Sequence, residues 1–249
     1  MPNSFSRIPI FLLLAAVCCS LPAVAYSDEA VNYFSQGNAL VATKNYTQAI
    51  AAFDQAIVLE PTYYEALDRK ADALNRAGDF SDALVASSQA LEIRPQYAKG
   101  WINRGQILYN IGYYYEDTLK NPKKAETYYQ EQLAAFEKAI ALEPENAEAW
   151  FNKGYALAGM KRYDEAIAAF DKVQALDPAY PNLALSQKQA TVLRDAALLV
   201  HVRYAVPIAA IAILIIVLAG YFLYIRKKAG ETEGPQNRQQ RRKNIRERE

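Results

Sequence analysis

The sequence predicts an all-α protein: a solenoid of four helix pairs, a capping helix behind it, and one transmembrane helix. Three observations carry this expectation. The phrases AIVLEP, ALEIRP, AIALEP and VQALDP end at Pro61, Pro95, Pro144 and Pro178, so they recur at spacings of 34, 49 and 34 residues. The run YAVPIAAIAILIIVLAGYFLYI, residues 204–225, contains no charged side chain. Charge divides around that run: Tyr26 to Arg203 carries 18 Lys and Arg against 23 Asp and Glu, a net of −5, while Arg226 to Glu249 carries 9 against 4, a net of +5. A helix pair cannot bury its apolar stripe alone, so units of this length must stack, and about three are needed for a stable array.

At the N-terminus, Arg7 precedes IPIFLLLAAVCCSLPAVA, whose apolar core is too short to span a bilayer comfortably. It ends in Ala23, Val24 and Ala25, the small-x-small pattern of a signal-peptidase site, so residues 1–25 read as a signal peptide. An uncleaved anchor is the alternative. Cys18 and Cys19 both lie in this segment, so a chain cleaved after Ala25 holds no disulfide.

Counting back from each proline places the solenoid at 26–180, with units at 30–63, 64–97, 98–146 and 147–180. The columns then align. A large residue (Tyr33, Leu67, Trp101, Trp150) opens each first helix, a small one follows (Gly37, Ala71, Gly105, Gly154), and Leu40, Leu74, Leu108 and Leu157 share its face. In the second helices Tyr46, Phe80, Tyr129 and Tyr163 precede Ala49, Ala83, Gln132 and Ala166, then Phe53, Ser87, Phe136 and Phe170. Each proline ends a helix, because it lacks an N–H and biases its predecessor out of the α region. These columns resemble the tetratricopeptide repeat, which implies a right-handed α-solenoid. The chain departs from the pattern at Gln36, Lys70, Arg104 and Lys153, where the family usually has leucine.

The third unit is 15 residues longer than its neighbours. Removing residues 113–127 rejoins Gly112 to Tyr128 in register. Asn121 followed by Pro122 is a helix-start signal, so the insertion reads as extensions of both helices around a short turn near Lys120 and Asn121. Its tyrosines either pack across the hairpin or face outward as an adhesive patch. Because every packing column survives deletion of residues 113–127, the stack is expected to stay folded without them.

Behind the fourth unit, residues 181–203 read as a capping helix, with Leu185, Val192, Leu193 and Ala196 at helical spacing. Residues 204–225, at about 1.5 Å per residue, are long enough for a hydrocarbon core of about 30 Å. Arg226, Lys227 and Lys228 follow directly, and the tail 226–249 is basic. The positive-inside rule puts that tail in the cytoplasm and the solenoid outside, in a single-pass cell-membrane protein; basic side chains beside a span also attract anionic lipid.

No chemistry is legible. The one histidine, His201, lies beside the apolar run, and metal-ligand spacings and Gly-rich phosphate loops are absent. The sequence therefore predicts no enzyme, cofactor, metal, small-molecule substrate or nucleic-acid partner. Binding to proteins is what remains. The resemblance implies a concave groove lined by first helices, presenting Phe34, Asn38, Arg69, Asp72, Lys99, Ile102, Asn103, Gln106, Tyr109, Phe151, Asn152 and Tyr155, with Asp68 and Asn75 among them. Family members that bind chaperone C-termini clamp a carboxylate with Lys, Asn and Arg. Asn38 and Lys99 match that cluster, Arg69 and Asn103 have their types exchanged, and Phe34 replaces a lysine. Two functional readings stay open: an extracytoplasmic adaptor, and a cytoplasm-facing co-chaperone-like receptor with an uncleaved N-terminal anchor. Asn45, in NYT at the first unit's turn, is a possible glycosylation acceptor.

Overall fold

The structure, a computed structural model, describes residues 26–232 and 235–248; the signal-peptide reading of residues 1–25 lies outside the described residues. Eight helices form four pairs: α1 (Asp28–Ala42) with α2 (Tyr46–Leu59), α3 (Tyr64–Ala77) with α4 (Phe80–Ile93), α5 (Ala98–Tyr113) with α6 (Pro122–Leu142), and α7 (Ala147–Gly159) with α8 (Tyr163–Leu176). Within the stack each helix packs on the next, and α3 also touches α1 and α5, so the first helices of units one to three lie side by side. Then come α9 (Leu183–Val200), α10 (Val206–Thr232) and α11 (Pro235–Arg246).

Local chemistry sets the boundaries. Ser27, Asn121 and Asn146 accept from the backbone N–H three residues on, capping α1, α6 and α7. Ahead of the repeating prolines, Glu60, Arg94, Glu143 and Asp177 leave the helical region with φ between −130° and −143°. Trp101 and Trp150 each donate their indole N–H to a proline carbonyl, that of Pro95 at 2.9 Å and that of Pro144 at 2.8 Å, fastening the turn to the unit it begins.

The small column exists for a phenylalanine. A Cβ at Gly37, Gly105 or Gly154 would stand 2.5, 2.4 or 2.6 Å from the ring of Phe53, Phe136 or Phe170, all three of which are fully buried. The departing column has its own use. Lys70 pairs with Asp54 at 2.6 Å, Arg104 Nη1 donates to Ser88 Oγ at 2.8 Å, and Lys153 pairs with Glu137 at 2.9 Å. The capping helix continues the series, with Gln187 donating to Asp171 at 2.9 Å. Every partner lies 16 residues upstream, on the preceding unit's second helix, so polar bridges cross each seam from unit one to the capping helix.

The structure bears on two expectations. The stripe that α9 buries is Leu183 and Ala190, whereas Leu185, Val192 and Leu193 are about half exposed, because α9 meets α8 about its first turns and then leaves the stack. The insertion also packs on the stack. It extends α5 through a wide π turn, Tyr114–Thr118, before α6 begins. Tyr115 stacks on Tyr128 at 5.3 Å, Tyr114 lies 6.1 Å from Phe80, and Tyr115 packs with Tyr128 against the cluster of Ala83, Ile107 and Ile111. Deletion of residues 113–127 would uncover that cluster. Beyond the stack, Leu183–Lys228 is one helical run long and apolar enough to cross a membrane, and no part of its most apolar stretch is buried.

Candidate functional site

A polar network begins where unit one meets unit two. Arg69 donates through Nε to Asn38 at 2.7 Å and through Nη1 to Asp72 at 3.3 Å, and Arg76 closes on the other Asp72 oxygen at 2.8 Å. Asp68, the neighbouring buried carboxylate, accepts from Asn103 at 2.7 Å and from the Tyr97 hydroxyl at 3.3 Å, both on one oxygen. Its other oxygen has no partner. Burial pushes the Asp68 carboxyl up to about 6, against the lowering influence of Asn103, Lys99, Tyr97 and Arg69. The phenol of Tyr97 is raised in turn, by its own burial and by the adjoining Asp68.

Further along, side-chain amides take over. Asn110 donates to Asn75 at 2.9 Å, and with Gln106 and Asn152 they line a cavity of about 360 Å³. Tyr109 and Tyr155 form the boundary with a second cavity of about 330 Å³, whose wall adds Tyr113, Glu116, Tyr129 and Leu193. Tyr129 donates to Glu116 at 2.7 Å, and burial first, then that carboxylate, raises its phenol.

The expected groove residues divide. Asp72, Gln106, Tyr109, Asn152 and Tyr155 share one cavity lining, Asn38 is tied to Asp72 through Arg69, and Lys99 is exposed. Ile102 is buried, only 1% exposed, and Phe34 and Phe151 turn their rings onto Phe53 and Tyr63, and onto Phe170 and Tyr180. Ile102 is thus a core residue, while Phe34 and Phe151 are partly buried at the edge of the clusters they pack against. Asn103 serves Asp68. Tyr113, Glu116 and Tyr129 were absent from the expected groove; they come from the insertion and from a second helix, and the tyrosine density of the insertion was their sequence signal. Asn45 is exposed at the head of α2, donating to Gln48 at 2.9 Å. Among the described residues no group of three or more His, Cys, Asp or Glu could hold a metal.

An open stack of helix pairs with a concave face of amides and aromatics is an all-α helical repeat built for protein–protein interaction. Residues 34–98 and 129–181 match a family profile described as tetratricopeptide repeat, so these two segments carry that repeat. Protein STIP1 homolog of Dictyostelium discoideum is 31% identical over 90 residues, 36% of this chain and 16% of that protein. The heat-shock protein cognate (HSC) co-chaperone sgt12 of Aspergillus fumigatus is 29% identical over 92 residues, 37% of this chain and 27% of that protein. This chain thus spans well under a third of either relative. Among solved structures, a thermophilic TPR protein of Thermus thermophilus superimposes with a TM-score of 0.56 at 21% identity, over 66% of this chain and 81% of that one, a likeness of fold.

Proposed function

We propose that this chain is a membrane-anchored, co-chaperone-like receptor whose concave face takes an extended segment of a partner protein. The continuity of that face is the observation that carries the reading: the amides of Asn75, Gln106, Asn110 and Asn152 lead into an aromatic cavity through Tyr109 and Tyr155. An extended peptide must satisfy its backbone N–H and C=O groups as it leaves water, and amide side chains both donate and accept. The relative named as an HSC co-chaperone supports a chaperone segment as the partner. A terminal carboxylate would gain little here, because Arg69 and Asn103 already serve Asn38, Asp72 and Asp68. The test is fluorescence anisotropy with the full chain in detergent and a chaperone C-terminal peptide, as free acid and as amide. Binding should weaken in Asn75→Ala and Asn110→Ala and change little on amidation; binding indifferent to both substitutions would sink the reading.

The uncovered apolar helix supports the anchor. Left in water it would be a continuous apolar patch far larger than soluble proteins expose, whereas about 20 such residues suit a bilayer core. The co-chaperone likeness favours a cytoplasm-facing solenoid with the N-terminal segment retained. A second reading has its own observation: the net +5 after residue 225 favours a cytoplasmic tail and an extracytoplasmic adaptor. Protease added to intact cells separates them, since loss of the solenoid supports the second reading and excludes the first.

A further inference from the structure

We propose that the tyrosine cavity between the insertion, unit four and the capping helix receives a lysine or arginine side chain of the segment held in the groove. This rests on the peptide-binding reading above and adds the chemistry of the partner. Tyr109 stands at the centre, its ring 6.5 Å from Tyr113, 6.2 Å from Tyr129 and 6.5 Å from Tyr155, the last nearly edge-on at 73°. Tyr113 and Tyr155 are more than half exposed and Tyr109 more than a third, although an apolar floor containing Phe170, Ala156 and Ala190 lies beneath them. Rings gathered over an apolar floor and left open to solvent offer π faces to a visitor.

Charge selects the visitor. Among the described residues, Glu116 is the one charged side chain in the lining. The Tyr129 hydroxyl holds it in place without neutralising it, and no ion pair with Glu116 forms among the described residues, whereas its neighbour Asp117 meets Lys120 at 3.4 Å. An anion would face aromatic quadrupoles, a carboxylate and the net −5 of Tyr26 to Arg203. An aliphatic side chain would bury the Glu116 charge with only the Tyr129 hydroxyl to compensate it. A cation over tyrosine faces gains from both the rings and the carboxylate. Because Tyr109 and Tyr155 also wall the amide cavity, that cation arrives on the peptide whose backbone the amides hold.

The test pans phage-displayed random peptides against the full chain in detergent micelles. Recovered peptides should carry a lysine or arginine whose replacement by norleucine weakens binding about tenfold, and Glu116→Gln should weaken it by a similar factor. Glu116→Gln should leave the melting temperature unchanged, since glutamine still accepts from Tyr129. Peptides that depend on Asn75 but lack an essential cation, or are indifferent to Glu116→Gln, overturn the inference and leave the groove reading intact. Peptides indifferent to Asn75→Ala, or none at all, overturn both.

Discussion

Unit two and unit four solve the same packing problem with opposite choices. Unit four places Phe170 against Gly154, where even a methyl group would stand 2.6 Å from the ring. Unit two has Ala71 and Ser87 at those two positions, both fully buried. The exchange is coupled: where the ring is absent, the glycine is not required. It is also imperfect, because the Ser87 hydroxyl is buried without a hydrogen-bond partner and Asp68 nearby has an unpartnered oxygen in the same unit. Unit two therefore gives up apolar packing and carries buried polar groups, of which Asp68 reaches Asn103 of unit three. A repeat array tolerates one weaker unit because neighbours support it on both sides.

The largest expected effect comes from breaking the ring-and-glycine lock. Phe136→Ala in unit three should lower stability by about 3–5 kcal/mol, whereas Ser87→Ala in unit two should be neutral or stabilising by about 1 kcal/mol, since it removes a buried hydroxyl with no partner. Thermal melts followed by circular dichroism on the full chain in detergent check both. Similar losses in the two variants would show that unit two is packed as tightly as its neighbours.

Next in size is the buried carboxylate. Asp68 is raised from 3.8 to about 6, so the folded state holds its proton more tightly than the unfolded chain does. The contribution of Asp68 to stability is then fullest below pH 4, falls by roughly 2–3 kcal/mol as pH rises from about 4 to 6, and is flat beyond. In Asp68→Asn that fall should vanish, because an amide can accept from Asn103 and Tyr97 without ionising. Melting temperatures at pH steps from 4 to 8 measure it, and a variant with the wild-type slope would locate the dependence elsewhere.

Smallest is a change at the turns between paired helices. Unit two turns on Gly78 at φ 95°, but units one and four place Lys44 and Lys161 in the left-handed region at φ 61°. Lys161→Gly should therefore stabilise by about 0.5–1 kcal/mol, relieving the Cβ strain that lysine carries there. A loss of stability would mean that glycine's freedom in the unfolded chain outweighs that relief.

Much of this architecture was legible in one dimension, and the reasons are local. Pro61, Pro95, Pro144 and Pro178 stop helices by lacking an N–H, Asn121 and Pro122 start one, and helical periodicity assigns the buried columns. Residues 204–225 stand out because a charge-free run is conspicuous whatever lies around it. The groove was legible only by position, so Phe34, Ile102 and Phe151 were expected to face a ligand. The lysine, arginine and glutamine bridges could have been found, since each partner lies 16 residues back, but a single polar column carries no sign of which neighbour it meets.

By itself, then, the sequence determined helix limits, repeat register and the uncharged run, because capping, proline geometry and periodicity act within a few residues of the chain. Only the tertiary structure decided that Tyr109, Tyr113, Tyr129 and Tyr155 share one cavity with Glu116, and that Asp68 sits buried beneath Tyr97 and Asn103. The rotation of each helix about its axis is settled by packing with residues a whole unit away, and those contacts determine which side chains meet.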